Sequence, residues 1–286
     1  MNTACSNVDG RSGLFQVNCL WVGGELRPLE QVSLLSMQKQ GHAVRLFTYG
    51  AVTNVPDGVE VADANEVLPW KRMIFNRRTG SPALGSNRFR YRLMRMGLGL
   101  WLDADMLLLK PILKRDGHLF GRQDETFVNG AALFLPAASP VLEDLIAFIG
   151  DDFAIPPFLP MKERLRLALR KWTGRPRHVS RMTWGVFGPM ALTHFIGKHG
   201  LTGEAVGRDV FYPVPYTDAH SLFMADADIE RCLESTTLAI HLWNEALRRP
   251  SHLRPDNPTG RLFVEKGSFV ERYAREELGF ALGGDA

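Results

Sequence analysis

The stretch "LWLDADMLLLKP", residues 100–111, decides how the sequence is interpreted, because it sets two aspartates between two apolar runs. The runs at 100–102 and 106–109 have the composition of a protein interior, whereas Asp103 and Asp105 are residues that proteins seldom bury without a partner. The first run does not alternate between polar and apolar residues, which is typical of a central strand covered on both faces. We therefore expect a strand over residues 97–104 that ends at the two carboxylates.

The position of these carboxylates favours a metal site. In open α/β sheets, ligands bind beyond the carboxyl ends of the strands. Carboxylates two positions apart on an extended chain project to one side, where they repel each other unless a cation neutralises them. Hard oxygen ligands suit Mg²⁺ or Mn²⁺, and such an ion can in turn hold a diphosphate. The pattern D-x-D is short and also fits a solvated surface turn, but the apolar flanks favour the metal site.

A third candidate ligand is His241, within "AIHLWNEALRR" at 239–249. It follows a short apolar run and precedes Trp243, so the alternative is a core histidine whose hydrogen bonds are satisfied. An imidazole beside carboxylates would favour Mn²⁺ over Mg²⁺. The candidate metal ligands are Asp103, Asp105 and His241.

Strand-like and helix-like segments alternate on both sides of the opening stretch. The expected strands cover residues 15–22, 43–49, 59–61, 97–104, 127–135, 210–214 and 238–242. The expected helices cover residues 29–40, 86–96 and 141–149, the second of them capped by Ser86 or Asn87. This rhythm predicts an α/β fold, with a Rossmann-like, mostly parallel sheet and flanking helices. Residues 156–182 break the pattern, so we expect a basic helical insertion within a single domain that spans 1–286.

Composition bounds the class of protein. The chain has 286 residues, of which 45% are hydrophobic and 23% charged, as in ordinary globular proteins. Its 3 cysteines form no disulfide framework, and the first residues have no apolar stretch of a signal peptide, so we expect a cytoplasmic protein. The net charge of +3 does not by itself imply nucleic acid, and we expect no nucleic-acid partner.

The positive charge is concentrated in the expected insertion. Its Lys and Arg residues are Lys162, Arg164, Arg166, Arg170, Lys171, Arg175, Arg177 and Arg181. Glu163 is the acid among them. Such a segment fits peripheral contact with an anionic membrane surface, and it also fits a solvated helix face.

Several segments of the sequence resemble a known family. The segment "SNRFRYRLMRMGLGLWLDADMLLLKPI", 86–112, is similar to the signature of retaining glycosyltransferases with the GT-A fold. The group in question carries a DxD-containing sugar-binding region and is related to α-1,4-galactosyl-, mannosyl- and glucosyltransferases. The chain also resembles this group in "LWVGG" (20–24), "SMQKQGHAVRLFTYG" (36–50), "DANEVLP" (63–69) and "HLWN" (241–244).

The resemblance implies a nucleotide-sugar donor, most often a UDP-hexose, and Mn²⁺ or Mg²⁺ as cofactor. It implies that Asp105 and His241 ligate the ion, and that Asp103 contacts the donor ribose or shares the ion. It implies that Arg90 reaches the donor phosphates or sugar. Asn87 stands where the family usually has Asp, which leaves the donor sugar open, since an amide both donates and accepts hydrogen bonds.

Other positions are expected to line the donor. The expected donor-binding residues are Leu20, Trp21, Val22, Gly23, Tyr49, Asn87, Arg90, Asp103, Ala104 and Asp105. Asn129 lies at a strand start that lines the donor sugar in such families, although it also suits a turn. The residues expected in catalysis are Asp103, Asp105, Arg90 and Asn129. For Tyr49, stacking on the nucleobase and a place in the core are both open.

The function that the resemblance implies is transfer of a hexose, with retention of configuration, to a glycan or glycolipid acceptor. The expected pathway is bacterial envelope synthesis, for lipopolysaccharide or capsule polysaccharide. One alternative is a non-catalytic nucleotide-sugar or glycan-binding protein on the same fold, since fold does not fix function. Another is a metal-dependent phosphohydrolase or nucleotidyltransferase, but these generally need further clustered acids, which are not found near residue 103.

Overall fold

The computed structural model describes residues 13–244 and 263–283. Its strands, in chain order, are β1 Val17–Trp21, β2 Val44–Thr48, β3 Glu60–Asp63, β4 Leu100–Leu102, β5 Met106–Leu108, β6 Leu119–Arg122, β7 Val128–Phe134 and β8 Ala239–His241. Six of them form one sheet in the order β3-β2-β1-β4-β7-β6, in which β7 alone among these six runs against its neighbours. The mixed α/β class with a mostly parallel sheet and flanking helices is thus confirmed.

The helices are α1 Pro28–Lys39, α2 Ala83–Arg95, α3 Pro140–Gly150, α4 Met161–Trp172, α5 Pro189–Lys198, α6 Arg208–Phe211 and α7 Phe269–Arg272, and α7 continues into a π-helical turn at Tyr273–Glu277. Proline occupies the first turn of α1, α3 and α5, where the missing N–H costs nothing. Alternate residues of the central strands face two separate hydrophobic clusters. Leu100 and Leu102 pack on the α1 side, whereas Trp101 packs with α2, α3 and α5, so helices cover both faces of the sheet.

The second sheet was not expected from the sequence. Strands β5 and β8 form an antiparallel pair, with Met106 opposite His241 and Leu108 opposite Ala239. The expected strand over 97–104 is correspondingly shorter, because β4 ends at Leu102 and the chain turns there. The Met106 N–H donates to the Asp103 carbonyl over 3.0 Å and closes that turn. The chain thus passes from the central sheet into the second sheet at the two aspartates.

Two expected elements are corrected. Helix α2 begins at Ala83, so Ser86 and Asn87 lie inside it and neither is its N-cap. The Asn87 side chain instead donates to the Ala83 carbonyl, 2.7 Å away. The expected strand at 210–214 is wrong, because residues 208–211 form α6. Burial overrides the β-propensity of this segment, since Phe211 and Tyr212 are fully covered and pack closely over Gly121.

Within the expected insertion, residues 161–172 form helix α4 as anticipated. That 1–286 is a single domain remains a prediction. None of the helices in the described ranges has the length and apolar character needed to cross a membrane. Of the cysteines, Cys19 is buried and Cys232 exposed, while Cys5 lies outside the described residues.

Candidate metal centre

The candidate site lies at one edge of the central sheet. Strands β1, β2 and β4 are parallel neighbours and end at Trp21, Thr48 and Leu102, so their carboxyl ends meet at this edge. Asp103 follows β4 directly, as the sequence predicted. The two aspartates are brought together by the turn at 103–105, and not by alternation along an extended strand as we expected.

The pairing of β5 with β8 places His241 beside Asp105. Because Met106 lies opposite His241, the imidazole comes to Asp105, with Nε2 3.3 Å from its Oδ1. Backbone contacts fix the same residue, since the Asp105 carbonyl accepts from Leu242 N at 2.9 Å and its Oδ2 accepts from Asn244 N at 3.0 Å. The His241 ring packs against Trp243, with centroids 4.0 Å apart. Asp105 is therefore held by the segment that supplies the third candidate ligand.

Asp103 is held by a different set of partners. Its Oδ1 accepts from Trp101 Nε1 at 2.7 Å and lies 2.9 Å from the Arg90 guanidinium. That guanidinium stacks over the Trp101 ring at 4.8 Å and also donates to the Gly130 carbonyl and to Ser86. The Arg90 side chain is 8% exposed, against 26% for Asp103. Arg90 is thus engaged inside the protein, and Asp103 stands between it and the solvent side.

The two carboxyl groups differ in acidity. Burial raises the pKa of the Asp103 carboxyl above its ordinary value; Arg90 offsets part of that rise and the charge of Asp105 adds to it. Burial acts on Asp105 in the same direction, but His241 and the Asn244 N–H outweigh it and lower the pKa of that carboxyl. The two carboxylates and the Arg90 guanidinium together carry one net negative charge in a mostly buried site.

The arrangement fits a divalent cation. Asp103, Asp105 and His241 each offer one ligand atom, and these atoms lie within 4.8 Å of one another. An octahedral ion with ligands about 2.1 Å away holds adjacent ligand atoms about 3 Å apart, close to the 3.3 Å between His241 Nε2 and Asp105 Oδ1. His241 Nδ1 is buried without a hydrogen-bond partner in the described part of the chain. One nitrogen and two carboxylate oxygens form a donor set suited to Mn²⁺ or Mg²⁺.

The residues expected along the donor follow the same sheet edge. Leu20 is buried in the core, while Trp21 and Val22 are half-buried and Gly23 is exposed. Trp21 Nε1 donates to the Glu25 carbonyl at 3.0 Å, which folds the indole back over the turn after β1. A side chain at Gly23 would lie 3.0 Å from that nitrogen, so the absence of one allows this fold-back.

Tyr49 follows β2 at this edge and is half-buried. Its hydroxyl donates to the Leu68 carbonyl at 2.8 Å, and its ring packs edge-on against Trp70 at 4.9 Å. Trp70 contacts Phe75 in turn, and 49% of Trp70 is exposed. The sequence analysis did not single out Trp70 or Phe75, although an aromatic after "DANEVLP" was visible in it. Together these rings form a partly exposed aromatic surface beside the end of β2.

Two predicted residues are engaged in local structure. Asn129 Oδ1 accepts from Ala131 N at 2.8 Å, and its Nδ2 donates to Gln123 at 2.7 Å, so the buried amide shapes the start of β7. A side chain at Gly188, directly before α5, would lie 3.1 Å from the Asn87 amide nitrogen, so the glycine leaves room for Asn87. Ala104 occupies the turn between the aspartates. Asn129 precedes Gly130, whose carbonyl accepts from Arg90, and Asn87 lies on α2 together with Arg90. Both asparagines are therefore near Arg90, but their positions alone do not give either one a contact with a donor.

Sequence reasoning missed the partners that hold the ligands. Trp101 and Gly130 fix Asp103 and Arg90, and Asn244 fixes Asp105 while its side-chain amide donates to buried Glu30 at 3.2 Å. Asn244 and Gly130 belong to motifs that the sequence shows, but their partners are distant along the chain.

Comparison with known proteins adds little to this geometry. No protein-family model matches the chain, and none of the curated proteins matches it. Among solved structures, the chain is similar to one titled "PaToxG Glycosyltransferase", with 10% sequence identity and a TM-score of 0.43, over 68% of this chain and 74% of that chain.

Proposed function

We propose that this protein is a metal-dependent, retaining glycosyltransferase that moves a hexose from a nucleotide-sugar to a glycan or glycolipid. The proposal rests chiefly on the group formed by Asp103, Asp105 and His241 at the carboxyl end of a central strand. Such a group suits an ion that binds a diphosphate, and the sequence resemblance over residues 86–112 indicates which diphosphate. We propose Mn²⁺ as the ion and a UDP-hexose as the donor.

Each side chain of the candidate site has its own proposed role. Asp105 and His241 would hold the ion, and an ion bound there would neutralise the charge that develops on the leaving diphosphate. Asp103 is oriented by Trp101 and Arg90, and would either share the ion or bind the donor ribose. We assign Arg90 as a positioning residue, because its guanidinium is already committed to Asp103, Ser86 and the Gly130 carbonyl. Its contact with donor phosphates would require those contacts to rearrange.

The donor would lie along the edge formed by the ends of β1, β2 and β4. We propose that Trp21 to Gly23 lie against the ribose and nucleobase, and that the surface of Tyr49, Trp70 and Phe75 contacts the base. The acceptor hydroxyl would attack from the face that the diphosphate leaves, which retains the anomeric configuration. The acceptor proposed from the resemblance is a growing bacterial lipopolysaccharide or capsule glycan.

Turnover of single donors tests this function. The purified chain is incubated with UDP-galactose, UDP-glucose, UDP-GlcNAc or GDP-mannose, with Mn²⁺ or with EDTA, and release of the nucleotide is followed. We expect turnover of one donor with Mn²⁺ and none in EDTA. Asp105→Asn should lower that turnover at least about 100-fold, since it removes a charged ligand. Undiminished activity in EDTA would rule out the metal-dependent mechanism.

A matched control is Asp144→Asn. Asp144 lies on α3 and pairs with Lys198 and His199 of the α5 end, so it is a partnered carboxylate outside the candidate site. It should keep turnover within about twofold of the unmodified chain. If the chain binds Mn²⁺ and nucleotide tightly but turns over none of the donors, it is a binding protein on this fold and not an enzyme.

A further inference from the structure

Helix α4 presents an apolar stripe to solvent. Met161, Leu165, Leu169 and Trp172 are 63%, 63%, 59% and 83% exposed. At about 100° per residue, these four side chains fall within about 80° of the helix circumference. Large apolar side chains that are exposed singly are ordinary, but a contiguous set on one helix face marks an interaction surface. We call this set the α4 stripe.

The opposite side of α4 attaches it to the protein. Leu167 is the buried residue of this helix, and by helical geometry it points almost directly away from the α4 stripe. Lys171 adds an ion pair with Asp151, 2.7 Å apart, just after α3. The helix is therefore fixed with its apolar face outward.

Basic side chains border the α4 stripe. By the same geometry, Lys162 and Arg166 flank one side of it, and Arg164 and Lys171 flank the other. Glu163 is the acid of this helix, and it lies on the far side. Among the described residues, Lys171 is the one cation of α4 that forms an ion pair. The surface is thus apolar along its centre and positive along both borders.

We propose that α4 is an interfacial helix that docks this protein on an anionic lipid surface. An outward apolar face with an aromatic residue, bordered by Lys and Arg, is the composition of helices that lie in the plane of a membrane interface. The 12 residues span about 18 Å, too short to cross a bilayer but long enough to lie on one. The stripe is the convex face of a single helix, which suits a planar surface better than a narrow acidic peptide.

Electrostatics and burial would act together in this docking. Each cation near an anionic surface contributes roughly 1 kcal/mol, and this contribution falls with salt. Insertion of Leu165, Leu169 and Trp172 at the depth of the head groups would add an apolar contribution that salt does not weaken. The inference concerns a surface outside the candidate metal centre, so it does not depend on the proposed glycosyltransferase function.

Co-sedimentation with vesicles tests the proposal. The full chain is mixed with vesicles of phosphatidylcholine alone or with added phosphatidylglycerol, at low and high salt. We expect binding to the anionic vesicles, weaker at high salt. The double variant L165Q/L169Q should weaken it at least about tenfold, since two apolar side chains lose their burial. The control Met96→Gln changes an apolar residue that is 52% exposed at the end of α2, and it should bind as the unmodified chain does.

Two results with vesicles would overturn the proposal. One is an absence of binding to anionic vesicles at low salt. The other is equal binding by L165Q/L169Q and the unmodified chain, which would assign any membrane contact to a different surface. Sedimentation without vesicles distinguishes membrane binding from dimerisation through the α4 stripe. If the unmodified chain dimerises and the double variant does not, the α4 stripe is covered by a second copy, and the lipid proposal is wrong.

Discussion

Asp103 and Asp105 are one residue apart, yet they belong to two different local structures. Asp103 is held by Trp101 and Arg90, which face the α2 side of the central sheet. Asp105 is held by His241, the last residue of β8 in the second sheet, and by the Asn244 N–H, which follows that strand. Both sets of partners lower the pKa of the carboxyl that they contact, but at Asp103 burial and the charge of Asp105 outweigh them, whereas at Asp105 the partners outweigh burial. The chain therefore keeps two carboxylates close together by giving each a separate compensating group.

At this scale, Arg90→Met should destabilise the protein. It leaves the mostly buried Asp103 without its cation, and removal of one partner of such a pair costs about 3 kcal/mol. Loss of the stacking on Trp101 and of the bond to Gly130 adds to this cost. Urea unfolding measured at neutral pH, without added metal, gives the free energy of unfolding.

The double variant R90M/D103N distinguishes the contribution of the ion pair to stability from the contribution of the packing of Arg90. Because Asp103→Asn removes the unpaired charge, the double variant should be more stable than the sum of the two single losses predicts, by about 1–3 kcal/mol. If the two losses simply add, Arg90 stabilises the fold through packing alone, and its role in positioning Asp103 is refuted.

The candidate ligands themselves could be predicted from the sequence. D-x-D between apolar runs indicated Asp103 and Asp105, and His241 was a candidate from its place after a short apolar run, to which the resemblance added support. Their supporting residues could not be predicted in this way, since a hydrogen bond from Trp101 to Asp103 or from Arg90 to the Gly130 carbonyl depends on rotamers and on packing between distant elements. A pattern in one dimension shows which groups need partners, but not which groups supply them.

At the scale of elements, the start of β4 depends on Gly99. This residue has φ 114°, a conformation that L residues avoid, and a side chain there would lie 2.6 Å from the Gln16 carbonyl. Close approach of this backbone lets the Leu100 N–H bond to the same carbonyl at 3.0 Å, beside β1. Gly99 thus helps set the register of β4 against β1, and this register determines where Asp103 lies.

Gly99→Ala should therefore lower the free energy of unfolding by about 3 kcal/mol or more, because strain and a backbone clash combine. Gly97→Ala is the matched control. Gly97 also has positive φ, 70°, but a side chain there would meet open space, so the cost should stay near about 1 kcal/mol. Equal losses in the two variants would show that the Gln16 contact is unimportant. Thermal and urea unfolding of both variants give the comparison.

Elements differ in how far the sequence predicted them. β1, α1 and β2 follow expectation within a few residues at each end, because each is a mostly apolar segment with a glycine or proline near its boundary. The pairing of β5 with β8 was not predicted, since it joins Met106 to His241 across almost half of the chain. The error at 210–214 has a related cause, because a segment with strand-like composition became α6 through burial of Phe211 and Tyr212.

At the scale of the whole molecule, the candidate metal centre lies where the central sheet and the second sheet meet. Asp103 follows β4 of the first sheet, whereas Asp105 precedes β5 and His241 ends β8 of the second. Leu100 and Leu102 share one hydrophobic cluster with Met106 to Leu108 and Ile240, so both sheets also share a core. An ion bound to all three ligands would therefore connect parts of the fold that are far apart along the chain.

Metal binding should accordingly stabilise the entire fold, even without donor. A ligand that binds the folded state at 100 times its Kd adds about 2.7 kcal/mol to the free energy of unfolding. For a chain of 286 residues, this corresponds to a rise in Tm of about 4 °C. Differential scanning fluorimetry over a series of Mn²⁺ concentrations, started from protein stripped with EDTA, measures the rise.

The same titration on two variants locates the ion. Asp105→Asn should abolish the rise in Tm, whereas Asp144→Asn, which changes a carboxylate on α3, should keep it. A rise of equal size in Asp105→Asn would place the stabilising ion elsewhere and remove the main support for a metal centre at the sheet junction. Because this readout needs neither donor nor acceptor, it tests the ligand set even if the transferred sugar differs from the proposed hexose.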